Sequence, residues 1–317
     1  MKTMKRFLTA LLFLTLILAT AAPSFAVTPN SMPANGYDSF YIQGNASSYA
    51  VSGQFTVYLS INSGTYQATS SVDIGPIDTV LAVIMGTESS PYTTYTVMDV
   101  LTAAQTQHPN LYFDMTTSDP TGYHPIWVHG VKDTTIDSSF WFEDRVLYYT
   151  TNTYYVGWMF RINGNLPYNT ASQCCLMSEA YVSPGDVINL YYCNIYNRNF
   201  ATKPRAAVLS SYYYDNALGG YSASLQALQT ECYMGTTDWV LEPWASLANK
   251  SLDVYVDGVL CVITTDSMGF FTLTGLSGGT HSVQFVTTTK SFKVNSNLNF
   301  PKYKVPKDLG LYCTFAI

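Results

Sequence analysis

Charge is what this sequence has least of: only 11% of its 317 residues are Asp, Glu, Lys or Arg, and the balance is acidic, at −6. Beyond the first few residues the one basic concentration is Lys290, Lys293, Lys302, Lys304 and Lys307, spread thinly near the C-terminus. A protein that neutralises phosphates needs a basic face, so nucleic acid is excluded as a partner. Cysteine is also sparse. The six residues Cys174, Cys175, Cys193, Cys232, Cys261 and Cys313 fall far below the density of a disulfide scaffold. No C-x-x-C pair exists, which removes zinc-ribbon and thioredoxin-like readings. Cys261 and Cys313 lie on strand-like runs at the two ends of the last module and are candidates to pair across it. The adjacent Cys174 and Cys175 cannot bond each other without distorting the peptide between them, which leaves Cys193 or Cys232 as partners.

Long hydrophobic runs are confined to one place. Lys2, Lys5 and Arg6 precede an apolar run from Phe7 to Ala19, and Ala22-Pro23-Ser24-Phe25-Ala26 then places small residues where a signal peptidase needs them. The run is shorter than the roughly 20 residues a permanent anchor requires. The expectation is a signal peptide over residues 1–26, a mature start at Val27, no membrane span after cleavage, and a secreted or cell-surface product.

What the chain has in abundance is tyrosine: 26 residues, more than all Lys and Arg together. Tyr joins a large apolar ring to a polar hydroxyl and suits half-buried sheet surfaces and contact surfaces alike. Strand patterns dominate accordingly. Short β-branched and aromatic blocks run from Gln54 to Leu59, Asp78 to Met85, Arg145 to Tyr149 and Tyr154 to Ile162, punctuated by Asn-Ser-Gly, Gly-Pro and Asn163-Gly164. One segment, Tyr95 to Gln105, carries Val97, Val100, Leu101 and Ala104 at helical spacing and reads as a helix packed on a sheet. A weaker helical pattern covers Ala223 to Met234.

Two motifs carry a resemblance. Gly157-Trp158-Met159-Phe160-Arg161-Ile162-Asn163-Gly164-Asn165-Leu166-Pro167 is followed by Ala171-Ser172. Pro184-Gly185-Asp186-Val187-Ile188 then leads into Tyr191-Tyr192. About 60 residues upstream, Thr96-Val97-Met98-Asp99-Val100-Leu101 matches a Thr-Val-x-Asp-x-Leu helix motif. Together they resemble the transcobalamin C-terminal-like domain family, over Ile74 to about Asn194. The resemblance implies a β-grasp-like fold of the kind found in exported bacterial proteins and vertebrate cobalamin carriers. It admits cobalamin as a ligand, although the helical domain that completes the carrier's site has no counterpart in this sequence.

From Leu252 the texture changes to strand, Asp257-Gly258 turn, strand, Gly269 and strand, which is how a small antiparallel sandwich is written. These residues resemble carboxypeptidase-regulatory-like sandwiches. The expected fold class is α+β and β-rich, a β-grasp-like module followed by a small antiparallel β-sandwich. The expected division is an N-terminal strand-rich segment over 27–73, the β-grasp domain over 74–194, a connecting segment or insertion over 195–247, and the sandwich over 248–317.

Catalytic and metal patterns are thin. Gly275-Leu276-Ser277-Gly278-Gly279 fits G-x-S-x-G with His281 close behind, but a nucleophile elbow needs a helix after the Ser, and Thr280 to Thr287 reads as a strand. His124, His129, Glu143 and Asp144 lack the tight spacing of zinc ligands and read as solvated loop residues. Asp253, Asp257 and Asp266 read as turn caps. The candidate binding residues are Trp158, Phe160, Tyr191 and Tyr192. Alternation puts Trp158 and Phe160 on one strand face, as a platform on which a corrin, a sugar or another ring stacks, with the core of the domain as the competing role for that face. The functional expectation is a non-catalytic, exported ligand-binding or interaction protein for a small molecule such as a cobalamin-like or other ring-bearing compound. The alternative is a structural cell-surface module or an adhesion or glycan-binding module.

Overall fold

The computed structural model describes residues 55–67, 73–85, 95–115, 128–138, 142–143, 145–149, 152–167, 176–194, 201–235, 239–293 and 302–317. The first strands are β1 (Phe55–Asn62), β2 (Thr65–Gln67), β3 (Asp73–Ile74) and β4 (Asp78–Met85), followed by helix α1 (Val97–Gln107). Next come β5 (Leu111–Asp114), β6 (Gly130–Asp133), β7 (Phe142–Glu143), β8 (Arg145–Tyr149), β9 (Asn152–Ile162) and β10 (Val187–Asn194). The middle of the chain holds β11 (Lys203–Asp215), β12 (Gly220–Gln229), β13 (Cys232–Met234), β14 (Trp239–Leu241) and β15 (Ala245–Ser246). Last are β16 (Ser251–Val256), β17 (Val259–Thr264), β18 (Phe270–Leu276), β19 (Thr280–Phe285), β20 (Thr288–Lys293), β21 (Lys302–Gly310) and β22 (Cys313–Ala316). The chain is β-rich, with one helix among the described residues.

That helix forms where the apolar spacing puts it. Val97, Val100, Leu101 and Ala104 are its buried residues, and Thr96 caps it in a reciprocal box with Asp99, an arrangement that stabilises a helix start by about 1 kcal/mol. Its buried stripe packs on a five-stranded sheet of order β4-β1-β10-β9-β8. In that sheet β1 and β4 form an antiparallel pair, β8 and β9 another, and β10 returns parallel to β1 while pairing antiparallel with β9. The described part of the segment expected to be strand-rich over 27–73 supplies β1, which lies between β4 and β10 in this sheet.

Two turns hold β9 and β10 in register. Asn163 (φ 51°) and Gly164 (φ 82°) make the left-handed two-residue turn that an Asn-Gly pair favours. Pro184-Gly185 turns before β10, with the Asp186 amide donating to the Ser183 carbonyl at 3.0 Å. The Asn163 side chain links the two turns, donating to Asp186 at 2.7 Å and accepting from the Val187 amide at 2.8 Å.

Of the remaining strands, β5-β6-β7 form a three-stranded sheet, β13 and β14 a hairpin, and the others two larger layers. β11 and β12 pair along almost their whole length, β18 adds to β12, and β21 carries the sheet on to β2 and β3. The described residues 201–235 and 239–247 are thus mostly strand, with β11, β12 and β15 paired into this sheet. The weaker helical candidate, Ala223 to Met234, is strand: Ala223, Leu225 and Ala227 are buried while Ser224 and Gln226 are not, so period two prevails over 3.6. The four-stranded antiparallel sheet β17-β16-β19-β22 faces the β11-β12-β18 layer, and Leu209, Ala223, Leu225, Val254, Ile263, Phe271, Val283, Phe285 and Phe315 form the core between them. At the seam β21 comes so close to β19 that a Cβ on Gly310 would lie 1.8 Å from the Phe285 carbonyl oxygen, and only glycine fits there.

The expected Cys261–Cys313 bond is absent. Cys261 sits on β17 and Cys313 on β22, the two outer strands of the four-stranded sheet. Three strand spacings, about 14 Å, separate such positions, twice the reach of a disulfide. Both are thiols, and burial pushes the Cys313 thiol up to about 11. Cys174 and Cys175 lie outside the described residues, as do the signal segment, His124 and Asp144.

Candidate functional site

Trp158, Phe160, Tyr191 and Tyr192 are brought together as alternation requires, and sealed. Their exposures are 3%, 6%, 3% and 1%. Trp158, Phe160 and Tyr192 face the helix-side core, where the Trp158 indole donates to the Phe142 carbonyl at 2.7 Å and stacks obliquely on Tyr192 at 5.4 Å. Tyr191 points to the opposite face, into a second cluster with Met159, Cys193, Leu309 and Leu311. There the fully buried Arg161 donates to the Tyr191 hydroxyl at 3.2 Å and to the Gly164 carbonyl at 3.0 Å, and its guanidinium lies 5.5 Å from the Trp244 ring centre. Burial pushes the Tyr191 phenol well above its ordinary range, although Arg161 opposes the shift. An open ring-stacking platform is therefore ruled out on these strands: β9 and β10 have a packed layer on each side.

The sheet is open elsewhere. At its β1–β4 end the face turned away from the helix meets the outer face of the four-stranded sheet across a cleft of about 480 Å³. One wall carries Tyr58 of β1 and Val80 of β4. The other carries Tyr255 of β16, Thr280, Ser282 and Gln284 of β19, and Thr314 of β22, with Tyr312 between the walls and Asp257, Gly258 and His281 at one end. Alternation explains each placement. Tyr58 lies between the buried Val57 and Leu59, and Tyr255 shares with Asp253 the exposed face of β16 while Val254 enters the core.

Tyr312 is set by a long-range clamp. The buried Asn189 of β10 accepts from the Tyr312 amide at 2.7 Å and donates to its carbonyl at 3.4 Å. The Tyr58 and Tyr312 ring centres stand 6.3 Å apart at 42°, a tilted aromatic contact that joins β1 to the bend before β22. Gln284 donates to the Gly310 carbonyl at 3.1 Å, which ties the wall to the glycine seam.

The end of the cleft is a small ionic knot. Asp257 and Gly258 form the β16–β17 turn, with φ 48° and 79°. Asp257 accepts from the Ser282 amide at 2.7 Å and meets His281 Nδ1 at 2.7 Å, while His281 Nε2 meets the Ser277 carbonyl at 2.9 Å. A neutral imidazole donates from one nitrogen only, and both of these nitrogens face acceptors, so the site favours imidazolium. Burial alone pulls the His281 pKa down, and the bonds to Asp257 and Ser277 outweigh it, leaving it raised. The Asp257 carboxyl is pushed up by partial burial and held down more strongly by His281 and Ser282, so its pKa is lowered.

This geometry also settles the G-x-S-x-G segment. Ser277 stands on a turn between strands β18 and β19, and it is its carbonyl oxygen that His281 meets. Asp257 and Asp266 cap turns as expected, Asp266 accepting from Met268 and Phe270 amides at 2.8 and 2.9 Å, whereas Asp253 is an exposed strand residue of β16. Among the described residues no group of three potential metal ligands occurs, and no helix is long and apolar enough to cross a membrane.

Sequence reasoning missed Tyr58, Tyr255 and Tyr312. Alternation signals the outward direction of the first two, but the pairing of residues so far apart in the chain is a tertiary fact. Comparison with protein-family models, curated proteins and solved structures finds no match to this chain.

Proposed function

We propose that this chain is an exported, non-catalytic ligand-binding protein whose ligand, a ring-bearing small molecule, sits in the cleft between Tyr58, Tyr255 and Tyr312. The observation that carries the reading is the cleft itself: about 480 Å³, in the range of small-molecule sites, walled by three tyrosines and a few polar side chains. Export rests on the cationic start, apolar run and small-residue site that end at Ala26. A non-catalytic role is supported by the state of the nearest acid–base pair, since both His281 nitrogens are occupied by protein acceptors and neither is left for a substrate proton.

The finer fold reading belongs with this proposal. A hairpin, a helix, a second hairpin and a last strand returning parallel beside the first support a β-grasp-like, transcobalamin C-terminal-like module. The two antiparallel layers around Val254, Phe271 and Phe285 support the sandwich. With Trp158 and Phe160 buried, a cobalamin-like ligand is assigned to the inter-sheet cleft instead. A second reading, a structural or adhesion module of the cell surface, draws support from the outer strand β17, where Val259, Leu260 and Val262 are exposed.

The test is an NMR titration of the purified chain with cyanocobalamin and with a glycan panel. A binder should move the resonances of Tyr58, Tyr255 and Tyr312 together. Shifts confined to β17, or no response to any probe, would remove the cleft reading and leave the structural one.

A further inference from the structure

Resting on the cleft as the ligand site, we infer that its ligand is an uncharged carbohydrate, a neutral mono- or disaccharide unit, and that Tyr255 is the ring on which it stacks. Charge is the first selector. Among the described residues lining the cleft, Asp257 and His281 are the only ionisable acid or base side chains besides the tyrosines, and they are bound to each other at 2.7 Å. Their charges cancel within the knot, so the walls offer no net charge to an anion or a cation. An ionic ligand would lose hydration on entering and gain no counter-charge.

The second selector is hydrogen-bonding character. The side-chain hydroxyls of Tyr58, Tyr255, Tyr312, Thr280 and Thr314 have no hydrogen-bond partner among the described residues. Each hydroxyl both donates and accepts. A wall of such groups matches a ligand whose own groups are of the same kind, as the ring hydroxyls of a sugar are. A purely apolar ring would strip them of water and leave them unpaired, which is unfavourable.

Shape is the third. Tyr255 is 41% exposed on one wall, opposite Tyr58 and Tyr312. Its ring presents an apolar face, and the axial C–H groups of a pyranose present another, so a sugar buries apolar surface on the ring while its edge hydroxyls reach the threonines.

The experiment is saturation-transfer NMR and calorimetry on the full chain. The probes are glucose, galactose, N-acetylglucosamine, lactose and cellobiose, with glucosamine, sialic acid and cyanocobalamin alongside. Tyr255→Ala and Tyr213→Ala are the variants, the latter removing a tyrosine that is 61% exposed outside the cleft. The expected result is binding of at least one neutral sugar, weakened roughly tenfold by Tyr255→Ala and unchanged by Tyr213→Ala. Cyanocobalamin or a charged sugar binding in a Tyr255-dependent way, with the neutral sugars silent, overturns the carbohydrate assignment and leaves the cleft as the ligand site. Silence from every probe, or neutral-sugar binding indifferent to Tyr255→Ala, overturns both.

Discussion

β10 and β16 both carry tyrosine in apolar company, yet they end in opposite situations. Every residue of β10 is buried, whereas along β16 only Val254 is, and Tyr255 stands in a cleft. The difference lies in the neighbours. β10 is a central strand with the helix-side core on one face and the Met159–Leu309 cluster on the other, while β16 has a core on one face only. The two sequences report this. Val-Ile-Asn-Leu-Tyr-Tyr-Cys-Asn is nearly continuous in apolar residues, the mark of a strand covered on both sides, and Ser-Leu-Asp-Val-Tyr-Val alternates, the mark of a strand half in water. Aromatic content marks large contact area; periodicity decides whether that area faces the core or the solvent.

The sharpest way to break the comparison is to truncate a ring from each kind of strand. Trp158→Ala removes a side chain 3% exposed together with its bond to the Phe142 carbonyl. The expected loss is roughly 3–5 kcal/mol, a large part of the stability of an ordinary domain, read as a lower urea midpoint at unchanged slope. A loss below about 1 kcal/mol would mean that the face beneath Trp158 is open, and the contrast between the two strands would fail.

The ionic knot gives a smaller effect with a distinctive pH signature. His281 binds its proton more tightly in the folded chain than in the unfolded one. Its contribution is therefore complete below the ordinary imidazole value of 6.5 and is lost as the pH rises through the higher folded value. Asp257 behaves inversely, contributing above the ordinary 3.8 and losing that contribution as the pH falls through its depressed folded value. The pair is thus intact from mildly acidic to near-neutral pH. Because the Asp257 side chain is 44% exposed, solvent screens the pair, and His281→Gln should cost about 1 kcal/mol at pH near 6. Urea midpoints should fall as the pH rises above the ordinary imidazole value of 6.5 in the parent chain and change less in the variant. Parallel profiles would show that folding leaves the His281 pKa unshifted and that the knot does not hold its proton.

Local structure was legible wherever one periodicity or one turn type dominated. The α1 stripe, the extent of β8, the Asn163-Gly164 and Asp257-Gly258 turns and the caps at Asp257 and Asp266 follow from spacing and backbone preference. The strand β12 was misread because Ala, Leu and Gln favour helices in isolation, and its pairing with β11 and β18 overrode that preference. The strand character of β1 is legible from its β-branched and aromatic run, but its parallel partner, β10, lies more than 120 residues away, and no local pattern encodes such a pairing. The candidate site is the extreme case. Its three tyrosines come from β1, β16 and the bend before β22, and Tyr312 is held by Asn189, 123 residues earlier in the chain. Sequence shows which way a side chain points along its own strand, and the opposite wall of a cleft is set by the packing of whole sheets.

The smallest expected effect is the most discriminating. Tyr255→Ala removes as large a ring as Tyr192→Ala would, but from a position with solvent on one side and no hydrogen-bond partner for its hydroxyl among the described residues. If the β16 face exists for a ligand and not for the core, the unfolding free energy should move by no more than about 0.5 kcal/mol, the range of surface substitutions away from special features. The same change at a core tyrosine costs several times that. A Tyr255→Ala loss approaching that of Trp158→Ala would show that the ring is cementing the two sheets. The cleft would then be a packing seam, since a residue that spends its contact area on holding walls together has little left to offer a guest.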